Sequence, residues 1–182
     1  MRTKFIPVDS INKAVAFASS LNSEHLKRIQ LTTPKPHYIE TIDVLEKLQE
    51  QGWKMKGVGE KRDKKFRITD HHIKMIHPDF NIKTNGRVEG ESSLMLSNSV
   101  CGKQGISFDL GVYRQVCSNG LFAMDSAFDS YLKHDQNGLM NLNSILNQLN
   151  NVARVNIQKY EVLKLKLLTG EEMNELARKA IS

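Results

Sequence analysis

From Leu139 to Leu168 the chain contains neither proline nor glycine. With both helix breakers absent, nothing local interrupts a continuous helix there. Leu142, Ile145, Leu149, Val152, Ile157, Tyr160, Leu163 and Leu167 form a broadly helical apolar stripe along it. The stretch reads as one helix about 43 Å long, at about 1.5 Å per residue, or as two with a break near Asn150–Asn151. Thr169–Gly170 ends it, and Thr169 with Glu172 makes a capping-box pattern for a last helix to about Ala180. A stripe of this length needs a sheet of its own chain, or a second copy, to cover it.

The middle of the chain has the other period. Trp53 opens WKMKGVGEKRDKKFRI, which reads as two strands joined by a charged hairpin with its tip near Glu60–Lys64. Phe66 and Ile68 share one face of the second strand, and Arg67 lies on the other. Ile73, Met75 and His77 alternate in the same way. Gly86 and Gly90 predict turns. SSLMLSNSV and GISFDLGVYRQV predict two further strands, and YLKH another short one.

Upstream, residues 3–8 predict a short strand, and Asp9 or Ser10 caps a helix to about Leu21. A second short helix follows from Ser23 to Ile29. TTPKP breaks it, and a further helix spans about His37 to Gln51 with Gly52 as its stop signal. The fold class is therefore α+β: a central antiparallel sheet flanked by N-terminal helices, with a long C-terminal helical segment. Residues 1–136 form an α+β domain with a basic hairpin. Residues 137–182 form a helical segment packed on it or used for dimerisation. At 182 residues, roughly 70% of the unfolded surface can be buried without staples. Cys101 and Cys117 suit a reducing compartment with free thiols. No apolar run approaches a signal peptide or a membrane span, so the expected setting is the cytoplasm.

The net charge of +6 is unevenly placed. Between Lys54 and Arg87 there are ten basic residues against four acids, and the rest of the chain balances to zero. Such segregation creates a field that attracts polyanions. Lys54, Lys56, Lys61, Arg62, Lys64, Lys65, Arg67 and Lys74 are the candidate nucleic-acid contacts, and Trp53 and Phe66 the candidate base-stacking rings, with Tyr113 a third aromatic nearby. A solvated loop, an anionic membrane surface or an acidic protein are the other readings of the same charge.

Enzymatic signatures are scarce. GVG at 57–59 lacks the context of a phosphate loop, and no GxSxG elbow exists. His71, His72 and His77 cluster locally, with His134 able to approach, but adjacent residues of a strand point to opposite faces. They read as polar surface or phosphate contacts, with no metal and no cofactor called. Cys117, in QVCSNG, is the one candidate nucleophile, and no sequence feature supplies its base. The expectation is a non-enzymatic protein.

LGVYRQVCSNGLFA at 110–123 resembles a motif of a phage- and plasmid-borne family, known as a domain of unknown function and labelled phage/plasmid-like protein. Arg114, Val116, Cys117, Ser118, Asn119, Gly120 and Leu121 match it. Upstream, NSVCG keeps Asn98, Ser99 and Gly102 but has Val100 and Cys101 where the family carries histidine and aspartate. His77–Pro78–Asp79–Phe80 also looks like a strand end of that family, and the resemblance covers roughly residues 50–135. It implies a mobile-element protein. Two roles follow from that setting: counter-defence, blocking a host nuclease such as CRISPR–Cas9 through the nuclease, its DNA, or both; and single-strand annealing, which VLEKLQEQGWKMKGV loosely resembles.

Overall fold

Glycine and backbone hydrogen bonds decide where the first long element stops. In the computed structural model, which describes residues 5–18, 21, 37–62, 68–84, 87–99, 104–115 and 122–165, α1 spans Ile11–Phe17 and α2 spans Thr41–Glu50. Gly52 follows α2 with φ +94°, in the left-handed region that costs other residues most. Its N–H donates to the Gln49 carbonyl and that of Trp53 to the Leu48 carbonyl, both at 3.0 Å. These paired bonds form a Schellman stop. A Cβ at Gly52 would lie 2.6 Å from His77 Nε2, so the glycine also makes room for that ring.

The described residues hold seven antiparallel strands, the first ahead of α1 and the other six after α2. They are β1 (Ile6–Pro7), β2 (Lys54–Arg62), β3 (Ile68–Ile76), β4 (Ile82–Thr84), β5 (Arg87–Ser99), β6 (Ile106–Gln115) and β7 (Phe122–Leu132). Their order is β1-β2-β3-β5-β6-β7, with β4 pairing β5 beside this path. A 3-10 turn, Pro78–Phe80, links β3 to β4. Beyond β7, α3 runs unbroken over Gln136–Leu165.

One face of the sheet carries Val58, Ile73, Met75, Leu94, Leu96, Phe108 and Leu110 into a single core. Ala14 of α1, Val44, Leu45 and Leu48 of α2, and Leu142, Leu146, Leu149 and Ala153 of α3 cover it. The fold is thus α+β, a sheet with helices on one face. The opposite face presents part-exposed His72, Lys74, Ile76, Met95, Ser97, Ser107 and Asp109.

Several boundaries differ from the sequence reading for local reasons. Helix α1 starts after its Ser10 cap, but Ala18 leaves helical geometry at φ −118°, ψ 85°. Helix α2 begins four residues after His37, because the Ile39 N–H is held by the His134 ring and Glu40 is extended. Gly90 is not a turn: it lies inside β5, opposite Ile82 on one side and Arg114 on the other. Tyr131 and Leu132 end the long β7 rather than forming a strand of their own. Helix α3 passes Asn150 intact because that side chain bonds Trp53 and Gln51, not the helix backbone. The second helix expected over Ser23–Ile29, the turn at Gly86 and the last helix from Thr169 lie outside the described residues.

Candidate nucleic-acid interface

Strands β2 and β3 build the basic hairpin. Their register runs from Lys54 opposite Ile76 to Arg62 opposite Ile68. It shifts between Met55 and Gly57 and again between Lys61 and Arg62, irregularities of a kind that sharpen local twist. Lys54, Lys56 and Lys61 are exposed, and Lys74 is half-buried. Their charge is partly answered. Glu91, from outside the basic segment, lies 3.8 Å from Lys56 Nζ and 3.4 Å from Lys74 Nζ, and Asp70 lies 3.7 Å from Lys61 Nζ. Pairs at this exposure contribute at most about 1 kcal/mol each, so a denser anion can displace them.

Trp53 is corrected by the structure. It is 1% exposed, its indole N–H donates to Asn150 Oδ1 at 2.8 Å, and its ring meets His77 and Phe80 edge-on. The ring is core and has no face to offer a base. Arg62 ends β2, and Tyr113 and Arg114 lie in β6. Lys64, Lys65, Phe66 and Arg67 lie outside the described residues, as do Cys101, Cys117, Ser118, Asn119 and Gly120.

The histidines divide by strand parity. His72 is half-buried on the outer face and bonds Ser97 Oγ at 2.8 Å. His71 faces inward and is fully buried, which overturns its reading as polar surface. His77 is also buried. Its Nδ1 accepts from the Asp79 N–H, so its Nε2–H donates to the Gln51 carbonyl at 3.0 Å. That bond serves the C-terminal end of α2.

Around His71 the interior holds a polar chain whose direction follows from its first donor. The Ile39 N–H can only donate, so His134 Nδ1 accepts at 3.0 Å and Nε2 carries the proton. That N–H meets Asn98 Oδ1 at 2.9 Å, and Asn98 Nδ2 donates to Thr41 Oγ1 at 2.8 Å. Thr41 Oγ1 in turn shares a hydrogen bond with His71 Nε2 at 2.6 Å. The other ring nitrogen, His71 Nδ1, is buried and has no hydrogen-bond partner among the described residues. Burial, then the neighbouring His72 and His134, push its pKa down to about 3. His72 is also lowered by burial, with Asp70 acting against the shift. The chain ties the start of α2 to β3, β5 and the segment after β7.

This network is what sequence reasoning missed, though a signal existed. His71 shares the parity of Ile73 and Met75, which assigns it to the core face. Asn98 stands in the NSVCG block, and Ser99 Oγ of the same block bonds the Gln104 carbonyl at 2.6 Å. Among the described residues no three His, Cys, Asp or Glu side chains converge as a metal site. No helix among them is long and apolar enough to cross a membrane.

No curated protein and no solved structure matches the chain. One family does, over residues 31–182. That span takes in α2, the sheet from β2 onward and α3, well beyond the 50–135 block that carried the resemblance. By this match the chain belongs to the family described as a domain of unknown function, DUF932.

Proposed function

We propose that the protein is a non-enzymatic DNA-binding protein that engages phosphates through the β2–β3 hairpin and its neighbouring lysines. One observation carries this reading: the chain's whole excess of positive charge falls between Lys54 and Arg87, most of it in the span of the β2–β3 hairpin, where Lys54, Lys56 and Lys61 are exposed. Binding of this kind releases counterions, so affinity falls with salt by a log–log slope of about 0.9 per phosphate contact on duplex DNA. Reversing Lys54, Lys56 and Lys61 to glutamate is expected to weaken binding and flatten that slope by about 2 to 3. Affinity that ignores salt between low and physiological ionic strength would exclude the electrostatic reading.

The biological role we attach to this binding is counter-defence in a mobile element, by interference with a host nuclease such as Cas9. It rests on the resemblance of the VCSNG block, and adding the protein to a Cas9 cleavage reaction tests it directly. Undiminished cleavage at saturating protein would remove that role and leave DNA binding standing. A second reading, single-strand annealing, draws on one arrangement: the helix–Gly52–Trp53–hairpin order is formed here through the Schellman stop. It requires ring-like oligomers, preference for single strands and faster annealing of complementary strands. A non-annealing monomer or dimer rules it out.

A further inference from the structure

At the end of the sheet away from the hairpin tip there is a cleft of about 450 Å³, between the C-terminus of α2, the 3-10 turn and the middle of α3. Its volume is in the range that takes a small organic ligand. Its apolar part comes from Phe80 and Ile157. The Phe80 ring is stacked on His77 with centroids 4.0 Å apart and meets Trp53 edge-on at 6.1 Å, so that wall is rigid. His77 cannot shift outward without losing its bond to the Gln51 carbonyl.

Two of the polar lining groups, Asn150 and Gln51, are fixed as well. Asn150 Oδ1 is used by Trp53, and Asn150 Nδ2 donates to Gln51 Oε1 at 2.7 Å. That leaves the Gln51 amide N–H₂ as an oriented donor beside the cleft, with no bond of its own among the described residues. Asp79 and Arg154 both line the cleft and are exposed, yet no ion pair joins them, and neither has a salt bridge to any described residue. A carboxylate and a guanidinium on one cleft, held more than 4 Å apart, suit a planar ligand that offers a donor edge to one and an acceptor edge to the other.

Guanine has that pattern. Its N1–H and N2–H₂ donate together to a carboxylate, and its O6 and N7 accept together from an arginine fork. Adenine presents an acceptor at N1 and a donor at N6, which mismatches both. We infer that this cleft binds a guanine base, with Asp79 on its N1–N2 edge, Arg154 on O6 and N7, and Phe80 with Ile157 against its plane. The inference goes beyond hairpin binding and stands without it, since the cleft residues are separate from the hairpin lysines. A free nucleotide and an unpaired base in a single strand share this chemistry.

The test is titration of the full chain with GMP and AMP, by calorimetry and by amide chemical shifts, and with single-stranded oligonucleotides of dG-containing and dG-free sequence. GMP is expected to shift Gln51, Asp79 and Arg154 signals and to bind at least about fivefold more tightly than AMP, the least discrimination one bidentate pair gives. Asp79→Ala should abolish that preference, and Arg154→Ala should weaken GMP about tenfold. Lys159→Ala, on α3 but outside the cleft, should change neither. Cleft shifts with dG-containing strands but not with GMP would support the inference and assign the base to a strand. No cleft shift with either, or equal binding of GMP and AMP that ignores Asp79 and Arg154, would overturn it. Glutamate at Lys54, Lys56 and Lys61 should leave GMP binding intact, so failure of the hairpin reading and failure of this one are separately visible.

Discussion

His71 and His72 are neighbours on β3 with opposite physics. His72 looks onto the open face, bonds Ser97 and is only half-buried. His71, one residue back, sits at 0% exposure, with one nitrogen bonded to Thr41 and the other without a partner among the described residues. Bulk solvent can replace a lost partner on the first face and cannot reach the second. The comparison teaches that residue type alone says little about a polar side chain in a sheet. Strand parity decides whether it is a surface group or a structural commitment.

The largest expected effect, taken over the whole fall from pH 6.5 toward pH 3, is on pH dependence. The folded His71 titrates near 3 against 6.5 for an ordinary histidine. Below pH 6.5 the unfolded chain takes up the proton first, so stability falls as pH falls. The loss reaches about 1.4 kcal/mol per pH unit for one such group, continues toward pH 3, and is absent above 6.5. Denaturant melts at pH 7 and pH 5 are expected to differ by about 2 kcal/mol more in the wild type than in His71→Gln. His72→Gln should retain most of the wild-type dependence. Parallel losses in wild type and His71→Gln would erase the contrast between the two histidines.

Asn98 and Ser97 repeat the comparison on β5. Asn98→Ala removes the acceptor of the His134 Nε2–H and the donor to Thr41 and to the Ile39 carbonyl inside the core. Losing these buried bonds together is expected to cost about 3 kcal/mol. Ser97→Ala takes away the partner of His72 on the solvated face, and about 0.5 kcal/mol or less is expected. Urea denaturation of the two variants measures both. Similar losses would mean that the inner chain is no more committed than the outer contact.

Much of the architecture was legible in the residues. Alternation in Ile73 and Met75, the Gly52 stop and the proline-free and glycine-free stretch from Leu139 each impose a local geometry that tertiary packing then used. The break suggested at Asn150–Asn151 was not made, because a tertiary bond to Trp53 removed the asparagine's competition with its own helix. Trp53 itself was misread as a surface ring because basic residues follow it; its neighbour in parity, Met55, is also core. Glu91 was invisible as a partner of Lys56 and Lys74, since only the β3–β5 pairing brings it there. The His71–Thr41–Asn98–His134 chain joins residues far apart in sequence, and one sequence without a fold could not assemble it. The cleft has the same origin, with Asp79 and Arg154 on different elements.

The smallest expected effect comes from the acidic end of the open face. Asp109 on β6 stands directly opposite Asp129 on β7. Burial first, and then the Asp129 charge, raise the Asp109 pKa above its ordinary 3.8. A carboxyl raised in the folded state favours folding while it is protonated, below the unfolded value, and loses that contribution as pH rises through the folded value. At neutral pH the pair is therefore a repulsion, of the kind that like charges opposite each other on a sheet produce. Asp109→Asn is expected to gain a few tenths of a kcal/mol at pH 7, no more, because solvent screens a part-exposed pair. The gain should shrink at pH 3, where the wild-type carboxyl is itself protonated, and thermal melts at the two pH values would resolve it. An equal gain at both would place its origin in strand propensity rather than charge. A loss would mean that Asp109, like Asn98 on the other face, is held by a partner that its environment cannot replace.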